Sequence, residues 1–113
     1  MAHVLLIVLD SDLRKSLDFA LRADGHAVTW RSSLDESPIP MHFDCTILDH
    51  HAVGLNLKQG EVFCRAFWPV ILLANTEGHA LSKVAFCTVL KPLLGPVLSA
   101  AVNDAVAVRP VTT

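Results

Sequence analysis

Residues 4 to 25 read VLLIVLDSDLRKSLDFALRADG, and this segment alone indicates the class of fold. Its first six residues form an unbroken aliphatic run rich in β-branched side chains, which is typical of a strand buried on both faces. Asp10 or Ser11 then offers a side-chain oxygen to the free N–H groups at a helix start. Apolar residues follow at helical spacing as far as Gly25, which suits a left-handed helix C-cap. A buried strand followed by an amphipathic helix is the repeating unit of a parallel α/β sheet.

The rest of the chain repeats this pattern with shorter connections. Apolar segments predict four more strands, at residues 26–30, 43–48, 69–74 and 86–90. Residues 94–105 carry apolar side chains at helical spacing and predict a closing helix. Pro38 and Pro40 leave little helix in residues 32–41, and segments 55–67 and 78–83 have room for short helices only. We therefore predict an α/β fold with a doubly wound, five-stranded parallel sheet and shortened connecting helices.

Composition and charge limit the kind of protein. With 113 residues, 52% hydrophobic and 18% charged, the sequence fits one compact domain, placed at residues 1–108 with a frayed tail at 109–113. The net charge of −2 argues against nucleic-acid binding. No apolar run reaches the roughly 20 residues that span a bilayer, and no signal peptide is evident. Cys45, Cys64 and Cys87 lack CxxC spacing and are expected to be buried thiols in the reducing cytoplasm.

Polar residues follow the carboxyl ends of four predicted strands, which is where ligands bind in open α/β sheets. Asp10 comes after the first strand with Asp12 close behind, Asp49 after the third, Asn75 after the fourth and Lys91 after the fifth. Because the carboxyl ends of parallel strands meet at one edge of the sheet, we expect these side chains to converge there.

Taken together, the segments resemble the CheY-like receiver domain of two-component response regulators over residues 2 to about 108. The opening AHVLLIVLDSDLR lines up without gaps on the family's first strand and acidic loop. FDCTILD is similar to the segment that ends in the phosphoacceptor aspartate, WPVILLA matches the fourth strand, and VLKP matches the Lys-Pro pair after the fifth. The resemblance implies a flavodoxin-like sheet with strand order 2-1-3-4-5. It also implies a cytoplasmic signalling module, not an enzyme, that contacts a histidine kinase or a downstream signalling protein.

The resemblance also implies roles for individual residues. Asp49 would accept a phosphoryl group from a histidine kinase, and Lys91 would bind that group. Mg²⁺ would be held by an acidic pair, by Asp49 and by the backbone carbonyl of His51. The cation is needed because a carboxylate attacks an anionic phosphoryl donor.

The sequence departs from the family at positions that this chemistry needs. In the gapless register the acidic pair falls on Val8 and Leu9, which cannot coordinate a hard cation, and Asp10 stands next to them. The family's switch hydroxyl falls on Ala74, and its switch aromatic residue falls on Thr88. These losses make Mg²⁺ binding doubtful.

We therefore predict a degenerate receiver in which Asp49 pairs with Lys91 in a permanently set conformation. It would act through protein contacts, using residues 78–83 and 93–107 as the partner face, and the resemblance also allows a homodimer. One alternative is a conventional receiver phosphorylated at Asp49, with Asp10 as the surviving metal ligand. Whether the chain is part of a longer protein is left open.

Other chemistry is less well supported by the sequence. Asp10 and Asp12 resemble the nucleophile and acid of haloacid dehalogenase-type phosphohydrolases, but that family's later hydroxyl and distal acidic pair are not found. His50 and His51 are adjacent and expected to diverge on a loop, which disfavours a transition-metal site with Asp49. Phe19 is expected to cover the core.

Overall fold

The sheet has the predicted number, direction and order of strands. The computed structural model describes residues 2–32, 43–53, 56–76, 78–91 and 95–108. All strands are parallel, in the order β2-β1-β3-β4-β5, which confirms the predicted order 2-1-3-4-5. Their bounds are β1 His3–Ile7, β2 Ala27–Arg31, β3 Cys45–Asp49, β4 Val70–Ala74 and β5 Cys87–Leu90.

Helices cover both faces of this sheet. Their bounds are α1 Ser11–Ala23, α2 His50–Val53, α3 Leu57–Ala66 and α4 Gly95–Val108, with a 3-10 helix at Ala80–Lys83 between β4 and β5. The short α3 and the 3-10 helix confirm the prediction of trimmed connections. The predictions for residues 33–41, for Pro92 and for the tail at 109–113 lie outside the described residues. Within the described ranges, no helix has the length and apolarity needed to cross a membrane.

The central strand β1 divides the core into two layers. Residues 4 to 8 are fully buried, and their side chains alternate between the faces. Val4, Leu6 and Val8 pack in the layer under α1 and α4, which also contains Leu17 and Leu98. The second layer lies under α3 and the 3-10 helix and is formed by Leu5, Ile7, Val53, Cys64 and Leu81, among others. β1 is therefore buried on both faces, as the sequence predicts.

Two apolar residues do not lie where the sequence predicts. β1 ends at Ile7, and Leu9 is 56% exposed, so its place in the predicted buried run is wrong. The chain turns there because Asp10 caps α1, accepting the N–H of Asp12 at 2.9 Å. Phe19 is 78% exposed because α1 turns Leu17 and Leu21 towards the sheet, so the expectation that Phe19 covers the core is wrong.

Candidate functional site

Two charged residues from different strand ends meet at the carboxyl edge of the sheet. Asp49 is the last residue of β3, and its side chain is fully buried. Lys91 directly follows β5, and its Nζ donates to Asp49 Oδ1 at 2.8 Å. The backbone N–H of Lys91 donates to the carbonyl of Ala74 at 3.0 Å, which holds this residue against the end of β4. The predicted contact between Asp49 and Lys91 is thus confirmed.

The two carboxylate oxygens of Asp49 have different surroundings. Oδ1 accepts from Lys91 and lies 3.5 Å from the backbone N–H of His51, a long contact. Oδ2 is buried and accepts no hydrogen bond from any described residue; His51 Nδ1 lies 3.9 Å from it. Asp49 is therefore paired with a cation at one oxygen, whereas the other oxygen is buried without a hydrogen-bond partner among the described residues.

The positions expected to hold the acidic pair contribute no side-chain oxygen. Val8 is buried in the core, and its carbonyl accepts from the guanidinium of Arg14 at 3.2 Å. Leu9 points into solvent. Asp10 is exposed, serves as the N-cap of α1, and is outside the group of metal-ligating side chains that the described residues form around Asp49. The structure thus brings Lys91 to Asp49 and uses Asp10 to start a helix.

The two switch positions are occupied by small side chains in fixed surroundings. Ala74 is fully buried at the end of β4 and has no hydroxyl to offer a ligand. Thr88 on β5 donates from Oγ1 to the hydroxyl of Ser82 at 3.1 Å. This hydrogen bond ties β5 to the 3-10 helix that precedes it, so Thr88 has a structural partner where the family has a movable ring.

A pair of imidazoles lies beside Asp49, and the sequence analysis did not predict its geometry. The rings of His50 and His51 approach to 4.0 Å between centroids at an interplanar angle of 32°. The expectation that they diverge is wrong because they open the helical turn α2, which folds both rings back towards the strand end. The signal in the sequence is the triplet Asp49-His50-His51 at the end of a buried strand.

The more buried of these imidazoles is His50. Its Nε2 is enclosed and has no hydrogen-bond partner among the described residues. Burial lowers the pKa of His50, and the neighbouring His51 lowers it further, while Asp49 acts in the opposite direction. His79 lies edge-on to the same ring, with centroids 5.4 Å apart. One ligand atom each from Asp49, His50 and His51 lies within 4.8 Å of the other two.

Solved structures of receiver domains share this architecture. The non-phosphorylated HemR receiver domain from Leptospira biflexa superposes with a TM-score of 0.81 at 18% identity, covering 100% of both chains. The receiver domain of the sensor histidine kinase PA1611 from Pseudomonas aeruginosa, with magnesium in its active-site cleft, gives a TM-score of 0.78 at 16% identity. That match covers 94% of this chain and 98% of the other.

A third structure agrees with these two. A receiver domain from Clostridium thermocellum gives a TM-score of 0.72 at 24% identity, with 95% of each chain covered. No family model matches the sequence, and no curated protein matches it at a significant level. The chain has the fold of the response-regulator receiver domain; at these identities the likeness extends to the fold and does not assign roles to individual residues.

Proposed function

We propose that this chain is an atypical receiver domain of two-component signal transduction, with weak or absent Mg²⁺-dependent phosphorylation of Asp49. It would work in the cytoplasm through contacts with a histidine kinase or a downstream signalling protein, without enzyme activity of its own. The observation that carries this proposal is the pair Val8 and Leu9, one buried and one solvent-facing, at the edge where Asp49 and Lys91 meet.

The donor atoms around Asp49 do not suit magnesium. Mg²⁺ requires near-octahedral oxygen coordination, whereas the ligand side chains that meet at this edge are one carboxylate, Asp49, and two imidazoles. The ion in the PA1611 receiver indicates that a cleft of this fold can hold magnesium. In this chain the acidic pair is replaced by aliphatic residues, and each lost ligand or ligand partner typically lowers metal affinity or activity by about 10- to 100-fold.

The ion pair between Lys91 and Asp49 also supports the proposal. The ammonium of Lys91 neutralises buried Asp49 without a metal ion, and its backbone is fixed to Ala74. The hydrogen bond between Thr88 and Ser82 fixes the neighbouring strand. A carboxylate whose charge is already compensated by Lys91 favours one conformation over a phosphorylation-driven exchange between two.

The surface formed by β5 and α4 supports the proposed action through protein contacts. An open cavity of about 580 Å³ lies between them and is mostly apolar. Its lining includes Phe86, Val89, Val97 and Ala101, and Val97 is 49% exposed. Apolar surface of this kind is typical of binding sites for proteins. The cavity includes Pro96, Val97, Ala100, Ala101 and Asp104 from the proposed partner face at residues 93–107, and its other lining residues lie on or next to β5, outside the proposed range 78–83.

One observation favours the alternative of a conventional phosphoacceptor. Asp49 Oδ2 carries no hydrogen bond from a described residue, so no such bond would have to break when this oxygen took a phosphoryl group. The two functions are separated by incubating the protein with acetyl phosphate and Mg²⁺ and measuring its intact mass. We expect no stoichiometric phosphoryl adduct. A full adduct that disappears in Asp49→Ala would establish the conventional receiver and overturn the proposal.

A gain-of-function variant makes this experiment sharper. Leu9→Asp places a carboxylate at one of the two acidic positions, and the change is tolerable because Leu9 is already 56% exposed. We expect the variant to take up phosphoryl groups from acetyl phosphate about 10-fold faster or more when Mg²⁺ is present, since one missing metal ligand is restored. Leu57→Asp on α3, which is also solvent-facing at 41%, is the matched control and should leave the rate unchanged.

A further inference from the structure

We infer that Asp49, His50 and His51 form a binding site for a divalent transition-metal ion, with Zn²⁺ as the best-suited ion. This site goes beyond the proposed receiver function and does not depend on it. The starting point is the convergence of three different ligand-bearing side chains at the point where β3 passes into α2.

A buried oxygen without a partner points to a ligand at this place. Asp49 is fully buried, and its Oδ2 accepts no hydrogen bond from a described residue. Leaving a buried charged oxygen without a hydrogen-bond partner destabilises the folded protein, because the oxygen has lost its water and gained nothing in return. The enclosed Nε2 of His50 is in the same situation. A buried carboxylate oxygen without a partner, beside two imidazoles that each offer a ligand atom within 4.8 Å of the other ligand atoms, is what a bound cation would satisfy.

The chemistry of the donors selects the class of metal. Imidazole nitrogens suit Zn²⁺, Cu²⁺, Ni²⁺ and Fe²⁺, whereas Mg²⁺ and Ca²⁺ prefer all-oxygen surroundings. Two imidazoles and one carboxylate, with solvent at the fourth position, are a common ligand set for open zinc sites. Lys91 holds Oδ1, so Asp49 would bind through Oδ2 alone.

The distances are close to those of a metal site. The three ligand atoms lie within 4.8 Å of one another, and Asp49 Oδ2 is 3.9 Å from His51 Nδ1. Donors of a tetrahedral zinc ion with bonds of about 2.0–2.2 Å are separated by about 3.4 Å. Closing that difference requires the imidazoles to shift, and the side chain of His51 is 58% exposed and therefore movable.

The test is a Zn²⁺ titration of the full chain by calorimetry near neutral pH, in the presence of excess Mg²⁺. We expect one zinc ion per chain, a Co²⁺ derivative with ligand-field absorption, and an affinity reduced at least about 10-fold in His51→Ala. This variant is suitable because His51 is exposed, so the fold should be retained. No phosphoryl donor is present, so the result is independent of the phosphorylation assay.

Two control variants distinguish this site from adventitious binding. His26→Gln removes an imidazole just before β2, where it accepts the N–H of Ala2, and Cys87→Ser removes the most exposed thiol. Both should bind zinc like the parent protein. Failure to bind zinc, unchanged affinity in His51→Ala, or an equal loss in Cys87→Ser would each overturn the assignment.

Discussion

A buried carboxylate is costly to keep ionised unless a cation lies against it, and Asp49 is fully buried. Lys91 supplies that cation at 2.8 Å. Removing one partner of a buried ion pair is more damaging than removing both, because the remaining charge is left without compensation. The fold therefore depends on Lys91 whether or not Asp49 ever receives a phosphoryl group.

The first prediction concerns this ion pair. Lys91→Met keeps most of the aliphatic side chain and removes its charge, leaving Asp49 unpaired. We expect a loss of about 3 kcal/mol in the free energy of unfolding, at the lower end of the range for buried pairs because the Lys91 side chain is 19% exposed. Urea unfolding monitored by circular dichroism measures it.

The double variant Asp49→Asn with Lys91→Met is the control for this prediction. It removes both charges and keeps the shape of the site, so most of the lost stability should return. A double variant as unstable as Lys91→Met alone would contradict the explanation by an unpaired charge.

The sequence predicts the Asp49–Lys91 contact because both residues directly follow buried strands of one parallel sheet. It does not predict the approach of His50 to His51, which depends on whether the chain after β3 continues as a loop or turns at once into α2. No periodic pattern marks a single helical turn of four residues. The phosphorylation roles of Asp49 and Lys91 stay predictions, because contact alone does not establish them.

Among the elements, α3 approaches its neighbours closely at Gly60. This glycine is buried in the helix, and a Cβ at this position would lie 2.8 Å from Val53 Cγ1 and 3.0 Å from Leu81 Cδ1. The absence of a side chain therefore lets α3 pack against α2 and the 3-10 helix, on the same side of the sheet as the second core layer.

The second prediction follows from this packing. Gly60→Ala gains about 1 kcal/mol of helix propensity but forces Val53 and Leu81 to shift, which typically costs about 1–3 kcal/mol. We expect a net loss of stability, seen as a lower melting temperature in thermal unfolding. Gly78→Ala is the control, since nothing lies within 4 Å of its added Cβ, and it should be neutral or slightly stabilising. A Gly60→Ala protein more stable than the parent would contradict the close approach.

Strand positions follow the hydrophobic pattern to within one or two residues, and the residues that do not follow it have a physical cause. The predicted strand at residues 4–9 ends early because Asp10 caps α1, so Leu9 must lie in the turn. Apolar content alone cannot separate Phe19, on the outer face of α1, from Leu17 and Leu21 on its inner face. The helix spacing of these two leucines indicates the buried side, whereas the aromatic character of Phe19 does not.

At the level of the whole molecule, each of the two core layers contains a buried thiol. Cys45 lies in the layer under α1 and α4, and Cys64 lies in the layer under α3. Burial raises the pKa of Cys45 to about 12, and burial raises the pKa of Cys64 to about 11. Their value in an unfolded chain is about 9. Each layer thus contains a group that ionises more readily when the protein unfolds.

The third prediction is a loss of stability in alkaline solution. Well below pH 9 both thiols stay protonated in the folded and in the unfolded chain, so the free energy of unfolding does not depend on their ionisation. Above it, the unfolded chain releases two protons that the folded chain keeps until about pH 11 to 12, so stability falls by roughly 1.4 kcal/mol per pH unit for each thiol. Urea unfolding at a series of alkaline pH values measures this slope.

Comparison of cysteine variants isolates the thiols from other alkaline effects. The sequence contains no tyrosine, so phenol ionisation does not contribute. Cys45→Ala and Cys64→Ala should each reduce the slope by about half of the thiol contribution, while Cys87→Ser, at a partly exposed position, should change it least. Equal reductions for Cys45→Ala and Cys64→Ala would mean that both layers open in one cooperative transition. A slope that neither variant changes would mean that a buried thiol ionises without unfolding, and it would contradict the burial of both residues.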